Sequence, residues 1–153
     1  VCESVWTSKE LGIQTFISAQ PHYSMLERNV EHELIPFCGK YGVGILPYFP
    51  LANGFLTGKY RKNSPPPAGS RLESDNKGLF TEDNYALLEK LISFSKERGK
   101  TVLDLAFAWL LYNGDISSVI AGATKPEQVI SNAAAGDWQL TDKEYEEITQ
   151  LLP

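Results

Sequence analysis

The chain has 153 residues, 42% hydrophobic and 22% charged, with a formal net charge of −5, which suits a single globular domain and argues against the basic face that nucleic acid or an anionic membrane requires. No apolar run approaches the roughly 20 residues of a membrane helix, and the N-terminus lacks the charged-then-apolar pattern of a signal peptide. Cys2 and Cys38 form neither a disulfide framework nor a zinc spacing, so the expectation is a cytoplasmic protein with reduced thiols.

The opening VCESVWTSKELGI reads as a helix already under way, closed by Leu11 and Gly12 in the manner of a glycine cap. A chain that starts on Val1 inside a helix is expected to be a piece of something longer. Residues 15–20 (TFISAQ) form an apolar, β-prone run and predict a buried strand. Residues 27–41 predict a helix with Val30, Leu34 and Phe37 on one face, a kink at Pro36 and a cap at Gly42. Residues 43–48 (VGILPY) predict a second buried strand. Residues 49–80 contain Pro65, Pro66 and Pro67 in a row and predict a loop, whose length points to function or disorder.

Thr81 opens the next helix with acids in its first turn; Tyr85, Leu88, Leu91, Ile92 and Ser95 follow at helical spacing, and Gly99 ends it. Thr101 opens another, with Leu103, Ala106, Phe107, Leu110 and Leu111 expected to face the core. Residues 117–121 (SSVIA) predict a third short strand. Pro126 sits in the first turn of the following helix, and TDKE forms a capping box for the last one, over 141–152. Strands alternating with helices predict an α/β fold with three parallel strands, right-handed crossovers and flanking helices. Three strands cannot close a (β/α)8 barrel, which needs eight and about 250 residues.

Ligands of parallel α/β folds bind at the carboxyl ends of the strands. Gln20, Tyr48 with the segment that follows it, and residues 122–132 occupy those ends. Gln20 can hydrogen-bond an amide, and Tyr48 can stack on a flat ring. GATKPEQVISN is a glycine turn leading into a helix N-terminus, a natural phosphate site. Taken singly, each has a plainer reading: a solvated turn residue, a packing ring and an ordinary N-cap. A dinucleotide would account for all three together.

QPHYSMLERNVE, YGVGILPYFPLANGFLTGKY and AGATKPEQVISN resemble, in order, the segments around the sixth, seventh and eighth strands of the aldo-keto reductases. The run TVLDLAFAWLLYNGDISSVIAG is similar to the helix and strand that precede the last motif. The resemblance covers essentially the whole chain as the C-terminal part of one TIM-barrel domain, residues 1–153. A loop that ends in GSR resembles the long-loop bacterial and potassium-channel β-subunit branch.

The resemblance implies NADP(H) as cofactor and a small carbonyl compound as substrate. Gln20 would bond the nicotinamide carboxamide, and Tyr48 would stack on the ring. Pro50, Leu51, Ala52 and Asn53 would line the pyrophosphate with backbone groups, while Lys59 and Arg71 would close over the phosphates. Gly122, Thr124, Lys125, Gln128 and Asn132 would hold the 2′-phosphate and adenine. Three positions depart from the pattern. Phe49 replaces a serine, Ser131 an acid and Ala121 a proline. The family's catalytic Tyr, Lys, Asp and His come from its first half and have no counterpart in this sequence, and neither His22 nor His32 stands at a catalytic position. The intact protein is thus expected to reduce aldehydes or ketones to alcohols, and this chain alone to be inactive. The alternatives are a non-catalytic regulatory protein like a channel β-subunit, or a decayed fragment. In either case an open barrel edge could support self-association.

Overall fold

A computed structural model describes all of residues 1–153. Helix α1 (Cys2–Glu10) ends at Leu11, and Gly12 follows at φ +62°. Strand β1 (Ser18–Ala19) then runs parallel to β2 (Gly44–Ile45), pairing Ser18 with Gly44 and Ala19 with Ile45. Between them lie a 3₁₀ turn at Asn29–Glu31 and helix α2 (Leu34–Tyr41), which Gly42 caps in the left-handed conformation. The single helix expected over 27–41 is therefore two pieces. Pro36 does not kink it. It stands in the first turn of α2, where a missing N–H goes unnoticed.

The three expected parallel strands are two strands and a third segment held by isolated bridges, Ile45 to Ile116 and Tyr48 to Ile120, both parallel. Proline chemistry accounts for the shortfall. On β2 and its continuation, the N–H groups of Gly44, Leu46 and Tyr48 donate to Ile17, Ala19 and Pro21 at 2.9, 2.9 and 3.0 Å. The alternate positions face the third segment: Ile45 N–H donates to the Asp115 carbonyl at 3.2 Å. Pro47 is next on that side and has no N–H, so the ladder breaks there. The three segments still pack closely, because a Cβ at Gly44 would collide with the Ser117 hydroxyl.

Helices α3 (Glu82–Glu97), α4 (Val102–Tyr112), α5 (Pro126–Ala135) and α6 (Asp142–Thr149) complete the chain. Thr81, Thr101 and Thr141 cap α3, α4 and α6 through their hydroxyls, and Asp104 and Glu144 close reciprocal boxes at the last two. Helix α4 is central and packs on α3, on α5 and on the 3₁₀ turns at Ala52–Thr57. Its buried face is Val102, Leu105, Ala106, Ala108, Trp109 and Leu110, with Phe107. Leu111 is 36% exposed, against expectation. The long loop is ordered by its own apolar staples: Tyr60 and Leu72 are buried, and the Leu72 N–H donates to the Tyr60 hydroxyl at 3.3 Å. On the far side of β1 nothing pairs, and Phe16 and Ile17 are 61% and 76% exposed.

Candidate functional site

The carboxyl ends of β2 and of the third segment open into a cleft of about 670 Å³. Tyr48 and the turn after it line the cleft together with residues 120–124, Gln128, Ser131 and Asn132 of α5, and residues 69–71 of the long loop. Leu103, which was expected in the core, lines this cleft instead. The turn is unusual in its backbone. Phe49, Ala52 and Asn53 stand at φ +54°, +45° and +58°, followed by Gly54 at +92°. Left-handed conformations at non-glycine residues are uncommon and cost free energy, so the packing around the turn holds it in place. Ala52 and Phe55 are fully buried below it.

Ten of the thirteen positions singled out by sequence line this cleft: Tyr48, Pro50, Leu51, Asn53, Lys59, Arg71, Gly122, Thr124, Gln128 and Asn132. Three do not. Gln20 is exposed at the end of β1. Ala52 points into the core, 4% exposed. Lys125 lines a neighbouring shallow hollow with Pro126, Val129 and Ile130. Sequence reasoning missed Thr57, Ser70 and Leu103 as lining residues. For Ser70 the signal was present, since it is the middle residue of GSR.

The charge pattern is one-sided. Lys59 and Arg71 line the cleft, and no Asp or Glu does, in a chain that holds 19 acidic residues. Two cations without counter-charges favour an anionic occupant. The Ser70 Oγ is buried without a hydrogen-bond partner at the same place. Such a group is costly unless satisfied, and an anion oxygen would satisfy it. At the start of α5, the Gln128 Oε1 accepts from Thr124 N–H at 2.7 Å, Thr124 Oγ1 at 3.2 Å and Lys125 N–H at 3.2 Å. The side chain thus occupies the donors that a helix N-terminus offers to a phosphate. The site combines the aromatic rings of Tyr48 and Phe49 with cationic and hydrogen-bonding groups, which fits a ligand that carries both a flat ring and phosphates.

The sequence model described as the Aldo/keto reductase family matches residues 2–153. The chain is 39% identical over 143 residues to a probable voltage-gated potassium channel subunit beta of Oryza sativa subsp. japonica, covering 90% of this chain and 43% of the relative. It is 37% identical over 127 residues to an NADH-specific methylglyoxal reductase of Escherichia coli (80% and 38%), and 31% identical over 147 residues to a probable aldo-keto reductase of Glycine max (93% and 41%). The chain spans less than half the length of these relatives.

Proposed function

Because the chain belongs to the aldo/keto reductase family, we propose that it is the C-terminal part, over residues 1–153, of one (β/α)8 barrel domain that reduces aldehydes or ketones to alcohols with NADP(H). The observation that carries the reading is the acid-free cleft, which Tyr48, Lys59, Arg71 and Ser70 line together with a turn of left-handed residues. When bound, the reduced cofactor supplies the hydride that the carbonyl carbon accepts. The residues of this chain bind and orient it. Tyr48 would offer a ring face to the nicotinamide, and Gln20, at the exposed end of β1 outside the cleft, would be the group to bond its carboxamide. The turn at 50–53 would hold the pyrophosphate, and Lys59 and Arg71 would neutralise it. Gly122, Thr124, Lys125, Gln128 and Asn132 take the adenosine end. Proton donation to the alkoxide is left to the other part of the barrel, so the chain by itself should not turn over. A cytoplasmic setting goes with this chemistry; no helix is long and apolar enough to cross a membrane.

The choice of NADP(H) over NAD(H) is testable because one relative is named for NADH and Lys125 lies outside the main cleft. Titration with 2′-phospho-ADP-ribose and with ADP-ribose is expected to favour the first, and Lys125→Glu to weaken it more than the second. Equal affinities in the wild type would overturn the NADP(H) assignment. NADPH consumption with 4-nitrobenzaldehyde should stay at the level of a boiled control.

A second reading is a regulatory protein of the same fold, favoured by the channel-subunit relatives and the uncovered β1 edge. That edge supports self-association, and static light scattering is expected to give a mass above the 17.0 kDa of one chain. A monomer with a cooperative melt would count against it.

A further inference from the structure

Tyr48 does not stand alone at its end of the cleft. It is the bridge partner of His22, and the two rings are stacked with centroids 5.3 Å apart and planes 18° from parallel. Phe49 meets Tyr48 edge-on at 5.1 Å and 70°, and meets His22 at 5.6 Å and 83°. Each ring thus touches the other two, in the offset and edge-to-face arrangements that aromatic pairs favour. Phe49 makes these contacts from φ +54°, a conformation that a bulky residue adopts only when its surroundings compel it. It also carries the Arg71 guanidinium over its ring, 5.6 Å from the centroid. His22 is half-buried, and its Nε2 has no hydrogen-bond partner, so the ring is held by stacking rather than by polar anchoring. Tyr48 and Phe49 remain 36% and 39% exposed towards the cleft they line.

We infer that His22 and Phe49 are positioning residues that fix the plane of the Tyr48 ring, and that Phe49 seats Arg71 beside it, so that the flat ring of a ligand meets a preset aromatic platform. The inference rests on the reading of Tyr48 given above. His22 backs one side of the Tyr48 ring and Phe49 blocks its rotation. A platform oriented before binding loses less rotational freedom when the ligand arrives.

The test uses the 153-residue chain and the variants His22→Ala, His22→Phe and Phe49→Gly. Glycine relieves the positive φ, so the last variant removes the ring without straining the turn. The first readout needs no ligand. Ring-current shifts of the assigned Tyr48 ring protons should move toward their free-tyrosine positions in His22→Ala and Phe49→Gly, and stay displaced in His22→Phe. The second compares NADP⁺ with 2′-phospho-ADP-ribose, which lacks the nicotinamide. His22→Ala should weaken NADP⁺ by roughly three- to tenfold and leave 2′-phospho-ADP-ribose within about twofold, with His22→Phe restoring the difference, whereas Phe49→Gly, which also unseats Arg71, should weaken both ligands. Unchanged Tyr48 resonances in His22→Ala and Phe49→Gly would overturn the bracket whatever binds. An equal loss for both ligands in His22→Ala would overturn the positioning role. Displaced resonances together with a wild type that gains nothing from the nicotinamide would instead overturn the ring-platform reading of Tyr48.

Discussion

At the scale of single residues, Gln128 satisfies the donors at the start of α5. Its Oε1 gathers Thr124 N–H, Thr124 Oγ1 and Lys125 N–H, so a phosphate arriving at α5 must displace a side chain and not merely water. Gln128→Ala is expected to lower stability by about 1 kcal/mol through loss of the cap. It should also leave the turn more responsive to anions, so inorganic phosphate should raise the melting temperature of the variant more than that of the wild type. An equal rise in both would show that the side chain does not compete. The segments that line the cleft were legible, because strand ends, a glycine turn and a Pro-started helix announce where polar chemistry collects, whereas the individual residues within them came from the resemblance to the aldo-keto reductases. Phe49 was not: a left-handed phenylalanine has no sequence signal, since that conformation is ordinarily betrayed by Gly, Asn or Asp. Gln20 was named from a pattern that does not report which way a side chain points, and Ala52 was named for its backbone groups, so its buried methyl does not bear on that expectation.

The helices were legible as elements and the strands less so. Thr81, Thr101 and Thr141 cap the helices they were expected to cap, because a hydroxyl at that position meets N–H groups that nothing else can reach. At α4 the exchange is doubled: Thr101 Oγ1 accepts from Asp104 N–H at 3.2 Å, and Asp104 Oδ2 accepts from Thr101 N–H at 2.8 Å. Thr101→Ala should cost about 1 kcal/mol, visible as a lower urea midpoint with an unchanged slope. The strands are shorter than their apolar runs. An apolar run reports burial, whereas a ladder also needs a donor at each alternate position, which Pro47 withholds. For the same reason, the expected face of α4 was shifted: Leu103 and Leu111 obey the helical period but face the cleft and solvent.

Across the whole molecule, a polar network joins segments far apart in the chain. Arg28 donates to both carboxylate oxygens of Glu31 at 2.9 and 2.8 Å, and to the Pro153 carbonyl at 3.2 Å. The Tyr23 hydroxyl donates to the same carboxylate at 2.9 Å, and the Arg28 guanidinium lies over the buried Trp109 ring. Burial acts to raise the Glu31 carboxyl, but the bonds from Arg28 and Tyr23 outweigh it and hold it below the usual carboxylate range. The Thr141 N–H and Arg98 do the same for Glu144. A carboxyl depressed in the folded state contributes stability above its unfolded value, and that contribution is lost as the pH falls through the folded one. Thermal stability is therefore expected to decline below about pH 4, and Glu31→Gln should flatten that decline. An identical acid profile in the variant would exclude Glu31 as a source. None of this network could be read from periodicity, because Arg28, Trp109 and Pro153 meet only after the chain has folded.

The missing donor at Pro47 also sets where the molecule opens first. Ordinary ladder bonds tie β1 to β2, while the third segment hangs from β2 and its continuation by three bonds on either side of a gap, Ile45 N–H to Asp115, Ser117 N–H to Ile45 and Ile120 N–H to Pro47. Local opening follows the weakest cooperative boundary. Amide hydrogens on the two sides should therefore exchange with solvent deuterium at different rates, Ser117 and Ile120 faster than Leu46 and Tyr48. The cleft lies across that boundary, so a ligand that bridges Tyr48 and Gly122 would slow the fast set and leave the slow set where it was. Uniform protection on both sides would mean that the fold tolerates the gap without yielding there.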